Sequence, residues 1–226
     1  MSTFILSKDN SFPSPETADS TGLLAVGGDL STGRLLEAYK NGIFPWYAED
    51  SPILWWSPDP RMILFPENFI VSDSLRRLIN KKKFVVKFDR DFHRVMQYCA
   101  KVTRKHEDGT WITEEMIQAY CALYENGVAH SVETYLDGKL VGGLYGISLG
   151  KAFFGESMFH LMKDASKVAL YYLVNKLKTW DFHFIDAQIE TDHLVSLGAE
   201  LVPRSDFLVL LHNAMMGETM NGKWSK

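Results

Sequence analysis

The spacing of apolar side chains divides this chain near residue 61. Before that point turn formers dominate, in "FPSPE", "VGGDLS" and "SPILWWSPDPR". One stretch there has helical period: Leu35, Leu36 and Tyr39 form an apolar stripe, with Ser31 as its N-cap and Gly42 as its stop. After Arg61 the pattern predicts a helix at about 72–82, a strand "KFVVKF", and a second helix at about 91–101. A third helix runs from Thr113, an N-cap with Glu114 and Glu115 in its first turn, to Gly127. Strands come next in "AHSVETYL", "KLVGGLYGISL" and "KAFFGESMF", the first two joined by Asp137-Gly138, a hairpin signal. Asp164 then opens the helix "ASKVALYYLVNKLKTW". The strand "FHFIDAQ" and the short helix "TDHLVSLG" succeed it, and "AELVPRSDFLVLL" closes the core.

Antiparallel strands followed by helix, strand, helix and strand indicate an α+β fold with a mixed, largely antiparallel sheet flanked by helices. The order resembles the GNAT-type acyltransferase fold, an analogy that licenses no function by itself. Residues 1–61 are expected to form a small N-terminal α/β domain and residues 62–226 the GNAT-like catalytic domain.

Composition narrows the class. Cys99 and Cys121 cannot build a disulfide framework and neither belongs to a CxxC pair, which suits a reducing compartment. The N-terminus lacks a basic segment before an apolar one, and no stretch is long enough to cross a bilayer. A cytoplasmic protein with no membrane partner is expected. Net charge is −4, yet the window from Arg76 to His106 carries +9 and the remainder −13. Such a patch is either a solvated helix face or a place where an anionic partner is focused. "GGDLS" lacks the Lys-Ser/Thr and the spacing of a phosphate loop and reads as a turn into a helix.

Candidate chemistry gathers in "FIDAQ". Residues i and i+2 of a strand share a face, so Asp186 and Gln188 are expected to point the same way. They form either a satisfied polar pair at a strand end or a reaction centre. Glu156 lies in a strand otherwise rich in Phe and Met, where a carboxylate needs a partner. An acetyl-CoA-dependent N-acetyltransferase would need amides cradling a pyrophosphate, usually in a basic glycine-rich loop. Here "FGESMFHLMKDASKVAL" has no glycine between Met158 and the helix, and sets Asp164 where the anion would sit. His93, His130, His183 and His193 show no metal-ligand spacing.

Ten motifs, among them "GLLAVGGDLS", "GIFPWY", "PILWWSPDPR", "GTWIT", "FFGESMF", "IDAQ" and "HLVSLGA", occur in an order that resembles the bacterial leucyl/phenylalanyl-tRNA–protein transferases across nearly the whole chain. The resemblance implies transfer of Leu, Phe and less readily Met from aminoacyl-tRNA to the N-terminal Arg or Lys of a protein, marking it for N-end rule degradation. It implies neither CoA nor metal, and it points to Asp186 and Gln188 as the catalytic pair. By residue chemistry Asp186 could attract the proton that the attacking amine sheds and supplies negative charge behind Gln188, which contacts the amine and cannot itself be a base. Glu156 would grip a substrate. Leu144, Phe153, Met158, Leu170 and Ile185 are candidates for an apolar pocket whose narrow mouth rejects β-branched side chains. Trp46 and Trp111 would stack on the terminal adenosine, while Trp55 and Trp56 are expected to pack between the domains. Arg76, Arg77, Lys81, Lys82 and Lys83 would meet acceptor-stem phosphates. Thr191 stands where some members have Asn and is expected to cap a helix. A monomer is expected. A non-enzymatic RNA-binding adaptor would keep the basic patch without needing the Asp186–Gln188 pair.

Overall fold

A computed structural model describes residues 4–101 and 112–225. A four-stranded sheet lies in the N-terminal part: β1 (Phe4–Ile5), β2 (Leu23–Val26), β3 (Phe44–Pro45) and β4 (Leu54–Trp56), in the order β1-β2-β4-β3. Helix α1 (Thr32–Lys40) occupies the expected place. The Ser31 hydroxyl makes no capping hydrogen bond, so Ser31 marks the boundary without satisfying the helix. "GGDLS" is a turn, as its composition predicts. Gly27 and Gly28 take φ of +86° and +79°, and a Cβ on Gly28 would meet the buried Arg34 guanidinium at 3.0 Å.

The seven-stranded sheet begins with β5 (Arg61–Leu64), a strand that the apolar pattern does not predict. Helices α2 (Asp73–Asn80), α3 (Phe92–Lys101) and α4 (Glu114–Glu125) alternate with β6 (Val85–Phe88) as the periodicity predicts. Ser72 and Thr113 cap α2 and α4 by accepting from the amides of Leu75 and Met116. Next come β7 (Ala129–Leu136), β8 (Lys139–Leu149) and β9 (Ala152–His160), then α5 (Ala165–Thr179) and β10 (Phe184–Gln188). The chain closes with α6 (Asp192–Val195), β11 (Glu200–Val202) and α7 (Arg204–Met215). "AELVPRSDFLVLL" is therefore a short strand followed by a helix.

Strand order is β11-β5-β10-β9-β8-β7-β6, with β10 and β9 parallel and the other pairs antiparallel. The sheet is mixed and largely antiparallel, as the sequence implied. Leu136 pairs with Lys139 across the two-residue Asp-Gly turn, where both residues take positive φ. Gly142 lets α5 lie against the sheet, since a Cβ there would sit 2.5 Å from that of Ala165. Apolar side chains fill both faces. One cluster joins the small sheet and α1 to α3, α4 and α7; the other lies between β5, β8, β9 and α5. Trp55 is fully buried in the first, its ring against Phe12 and its Nε1 donating to Gly27 O at 2.9 Å, within the N-terminal part. Among the described residues no helix is long and apolar enough to cross a membrane.

Candidate active site

A cavity of about 510 Å³ opens where β9 and β10 run side by side, bounded by α5 and by the turn into α6. Leu144, Phe153, Met158, Leu170 and Ile185 all stand on its wall, and all but the half-buried Met158 are buried. They come from β8, β9, α5 and β10, so the slot is part of the second apolar cluster left open at one end. Glu156 of β9 and Gln188 at the end of β10 interrupt the apolar lining, and Ser157, Thr191 and His193 stand on the same wall.

Regular alternation does not survive at that end. Ile185 pairs with Leu64, Asp186 with Ile63 and Gln188 with Met62, so Ala187 is an extra residue, a β-bulge. An inserted residue turns the side chains beyond it to the opposite face. Ile185, Ala187, Gln188 and Ile189 accordingly all line the cavity, whereas Asp186 does not. The expectation that Asp186 and Gln188 share a face is corrected by this bulge.

Asp186 is fully buried behind the wall. Its two oxygens accept from Arg61 Nε at 2.8 Å and Nη2 at 2.7 Å, a bidentate pair between fully buried partners. Oδ1 also accepts from the backbone N–H of Gln188 at 3.0 Å. That bond holds Gln188 at φ +64°, a left-handed conformation that costs a non-glycine residue about 1–2 kcal/mol unless its surroundings fix it.

Gln188 reaches into the cavity and donates from Nε2 to Glu156 Oε1 at 2.9 Å. The other Glu156 oxygen accepts from the Tyr120 hydroxyl at 3.1 Å, and that hydroxyl is hydrogen-bonded to the hydroxyl of Tyr39. Burial pushes the Glu156 carboxyl up to about 7, against the hydrogen bonds from Tyr39, Tyr120 and Gln188 that favour its charged form. Burial, and then the nearby Glu156, push both phenols well up, so they remain neutral. A chain of polar groups thus runs from α1 through α4 to the cavity.

At the mouth, Trp46 lines the cavity and is 36% exposed, its ring 5.8 Å from that of Trp56. Trp56 Nε1 donates to Trp46 O at 2.6 Å, so this tryptophan braces the other. Trp111 lies outside the described residues. Thr191 caps α6 as expected, accepting from Leu194 N at 3.2 Å, and also lines the cavity. His193 lines it too, and burial, with Lys167 and His160 nearby, lowers its pKa and keeps it neutral near pH 7. Arg76, Arg77, Lys81, Lys82 and Lys83 are exposed on α2, which packs on α5, and on the turn into β6; none of them lines the cavity. Arg104 and Lys105 of the same basic window lie outside the described residues.

Sequence reasoning missed Arg61, Tyr39, Tyr120 and His193. A tyrosine in an apolar helical stripe reads as core, and no local pattern pairs Arg61 with a residue as distant in the chain as Asp186. Arg61 and His193 nevertheless belong to the quoted motifs "PILWWSPDPR" and "HLVSLGA".

The site is thus an apolar slot on an α+β scaffold, with a buried carboxyl and an oriented amide at its opening. A family model for leucyl/phenylalanyl-tRNA protein transferase matches residues 63–212, and a model for that family's N-terminal domain matches residues 28–59. The leucyl/phenylalanyl-tRNA–protein transferase of Thermodesulfovibrio yellowstonii is 55% identical over all of this chain and 92% of its own length. That of Desulfatibacillum aliphaticivorans is 53% identical over all of this chain and 97% of its own. Among solved structures, a ribosomal-protein-alanine N-acetyltransferase from Brucella melitensis overlaps half of this chain and 86% of its own at 16% identity and TM-score 0.36. The chain belongs to the leucyl/phenylalanyl-tRNA–protein transferase family.

Proposed function

We propose that this protein moves leucyl, phenylalanyl and, less readily, methionyl groups from aminoacyl-tRNA to the N-terminal Arg or Lys of acceptor proteins. The new peptide bond leaves an N-terminal residue that marks the acceptor for N-end rule degradation. The reaction takes place in the cytoplasm, on a single chain. The observation that carries this reading is an apolar slot opening on the Gln188 amide, whose Nε2 is committed to Glu156.

One Nε2 hydrogen is given to Glu156, which orients the amide so that its carbonyl oxygen accepts an N–H of the incoming α-amine. An aminoacyl ester is already activated, so orientation supplies much of the rate. The amine nitrogen forms its bond to the ester carbonyl carbon and loses a proton. The bond from that carbon to the ribose oxygen breaks, and the ribose hydroxyl takes up a proton as the free tRNA departs. Gln188 holds the amine without acting as a base. Asp186 cannot reach the amine from behind the wall; it supplies the negative charge that holds the Gln188 backbone. Leu144, Phe153, Met158, Leu170 and Ile185 surround the transferred side chain, and slot shape excludes branching at Cβ. Trp46, half-open at the mouth, stacks on the terminal adenine, a contact worth roughly 1–3 kcal/mol that tolerates many tRNAs. The cations from Arg76 to Lys83 meet phosphates farther along the acceptor stem.

Purified protein incubated with labelled leucyl-tRNA and an Arg-starting peptide should place the label on the peptide. Labelled acetyl-CoA in the same mixture should not. Label arriving only from acetyl-CoA, or from neither donor, overturns the proposal.

A further inference from the structure

We infer that Arg61 is a positioning residue for the transfer reaction: its ion pair with Asp186 fixes the bulge that aims the Gln188 amide into the cavity. The inference rests on the reading of Gln188 as the group that meets the amine.

Arg61 opens β5, the antiparallel neighbour of β10. In an unbroken ladder the residue opposite Ile63 would be followed by one opposite Met62 and then one opposite Arg61. The bulge sets Gln188 opposite Met62 and leaves its backbone N–H pointing at Asp186. Arg61 reaches across and takes both Asp186 oxygens. Its guanidinium carbon stands 4.8 Å from the centre of the Phe44 ring and 4.6 Å from that of Phe207, so it is held between two aromatic rings. A planar fork in an aromatic sandwich has few alternative poses, and Lys could not reproduce the bidentate contact.

Stability alone is a poor reason for this arrangement. A buried ion pair is commonly matched or exceeded by apolar side chains of similar volume, because taking both charges out of water is costly. Arg61 Nη1, buried without a hydrogen-bond partner, adds to that cost. A charged fork does provide a fixed direction. Asp186 pinned at both oxygens offers the Gln188 amide one acceptor in one place, and the left-handed Gln188 then has one orientation. The Gln188 side chain, caught at its other end by Glu156, is thereby aimed from both sides. Held behind the wall in this pair, Asp186 does not reach the amine to take its proton.

A double-substitution cycle tests the idea. Arg61→Met, Gln188→Ala and the combination would be compared with wild type for transfer of phenylalanine from tRNA to an Arg-starting peptide, with kcat and both KM values measured. Arg61→Met should lower kcat about 100-fold while both KM values stay within about threefold, as expected for lost orientation. In the Gln188→Ala background it should lower kcat by less than about threefold further, because the group it aims is gone. Undiminished kcat in Arg61→Met, or the same fractional loss in both backgrounds, overturns the inference and leaves a merely structural pair. Should Arg61→Met fail to fold by circular dichroism, Arg61→Lys keeps a cation between the rings and should show a roughly tenfold loss, again absent beside Gln188→Ala; an equal loss in both backgrounds overturns the inference here too. Wild type that transfers nothing overturns the proposed function and this inference together, whereas active wild type with additive losses overturns the inference alone.

Discussion

Replacing Glu156 by Gln should flatten the pH dependence of stability by an amount the site itself sets. Burial raises the Glu156 carboxyl from 4.5 to about 7 in the folded protein. Between those values the folded chain holds a proton that the unfolded chain releases, so stability is greatest at low pH and declines as pH rises toward 7. At 1.36 kcal/mol per pKa unit, this one group makes the protein about 2.5 kcal/mol more stable at pH 5 than at pH 8. Glutamine does not titrate and removes that difference. Substitution also disturbs the bonds to Tyr120 and Gln188, but that cost is nearly the same at both pH values and cancels in the comparison. Glu133, likewise pushed up to about 7 by burial, contributes its own slope to both proteins. Urea unfolding followed by tryptophan fluorescence at pH 5 and pH 8 gives the four free energies required. The pH 5 minus pH 8 difference should be smaller in the variant by about 2 kcal/mol or more. Curves that differ by less than about 0.5 kcal/mol would show that burial does not raise the Glu156 carboxyl in the folded protein.

Three other outcomes are expected from the same geometry. Leu170→Phe narrows the apolar slot, so kcat/KM for phenylalanyl-tRNA should fall about tenfold relative to leucyl-tRNA; equal losses for both donors would place the transferred side chain elsewhere. Lowering salt should tighten aminoacyl-tRNA binding. Each of Arg76, Arg77, Lys81, Lys82 and Lys83 that touches a phosphate should reduce the slope of log K against log salt by about one when changed to Ala; an unchanged slope in the fivefold variant would leave these residues as solvated surface. Thr191→Ala removes the α6 cap and should cost about 1 kcal/mol in urea unfolding; an unaltered midpoint would mean the cap contributes nothing.

Periodicity carried most of the fold. The helices at α2, α3 and α4 and the β7–β8 hairpin lie where apolar spacing, caps and the Asp-Gly turn put them, because those signals act within a few residues. The five pocket candidates converge on one cavity because they occupy inward positions of adjacent strands and of the helix packed on them. The features that escaped were nonlocal. "RMIL" reads equally as loop or strand until β10 and β11 pair with it. The bulge at Ala187 has no glycine to announce it; instead a bond from Asp186, itself held by an arginine from the far side of the sequence, stabilises the left-handed Gln188. Alternation is reliable only while the ladder is regular, and it failed at the bulge before Gln188; β9 has a like register shift at Glu156. Two residues of one short motif consequently play different parts, one facing the substrate and one facing the scaffold.

The most direct test of the central claim is single-turnover transfer of labelled phenylalanine from tRNA to an Arg-starting peptide, comparing wild type with Gln188→Ala at saturating donor. The account predicts unchanged donor binding and a transfer rate lower by about 100-fold, the loss of a group that orients the attacking amine. Transfer at the wild-type rate by Gln188→Ala would contradict it.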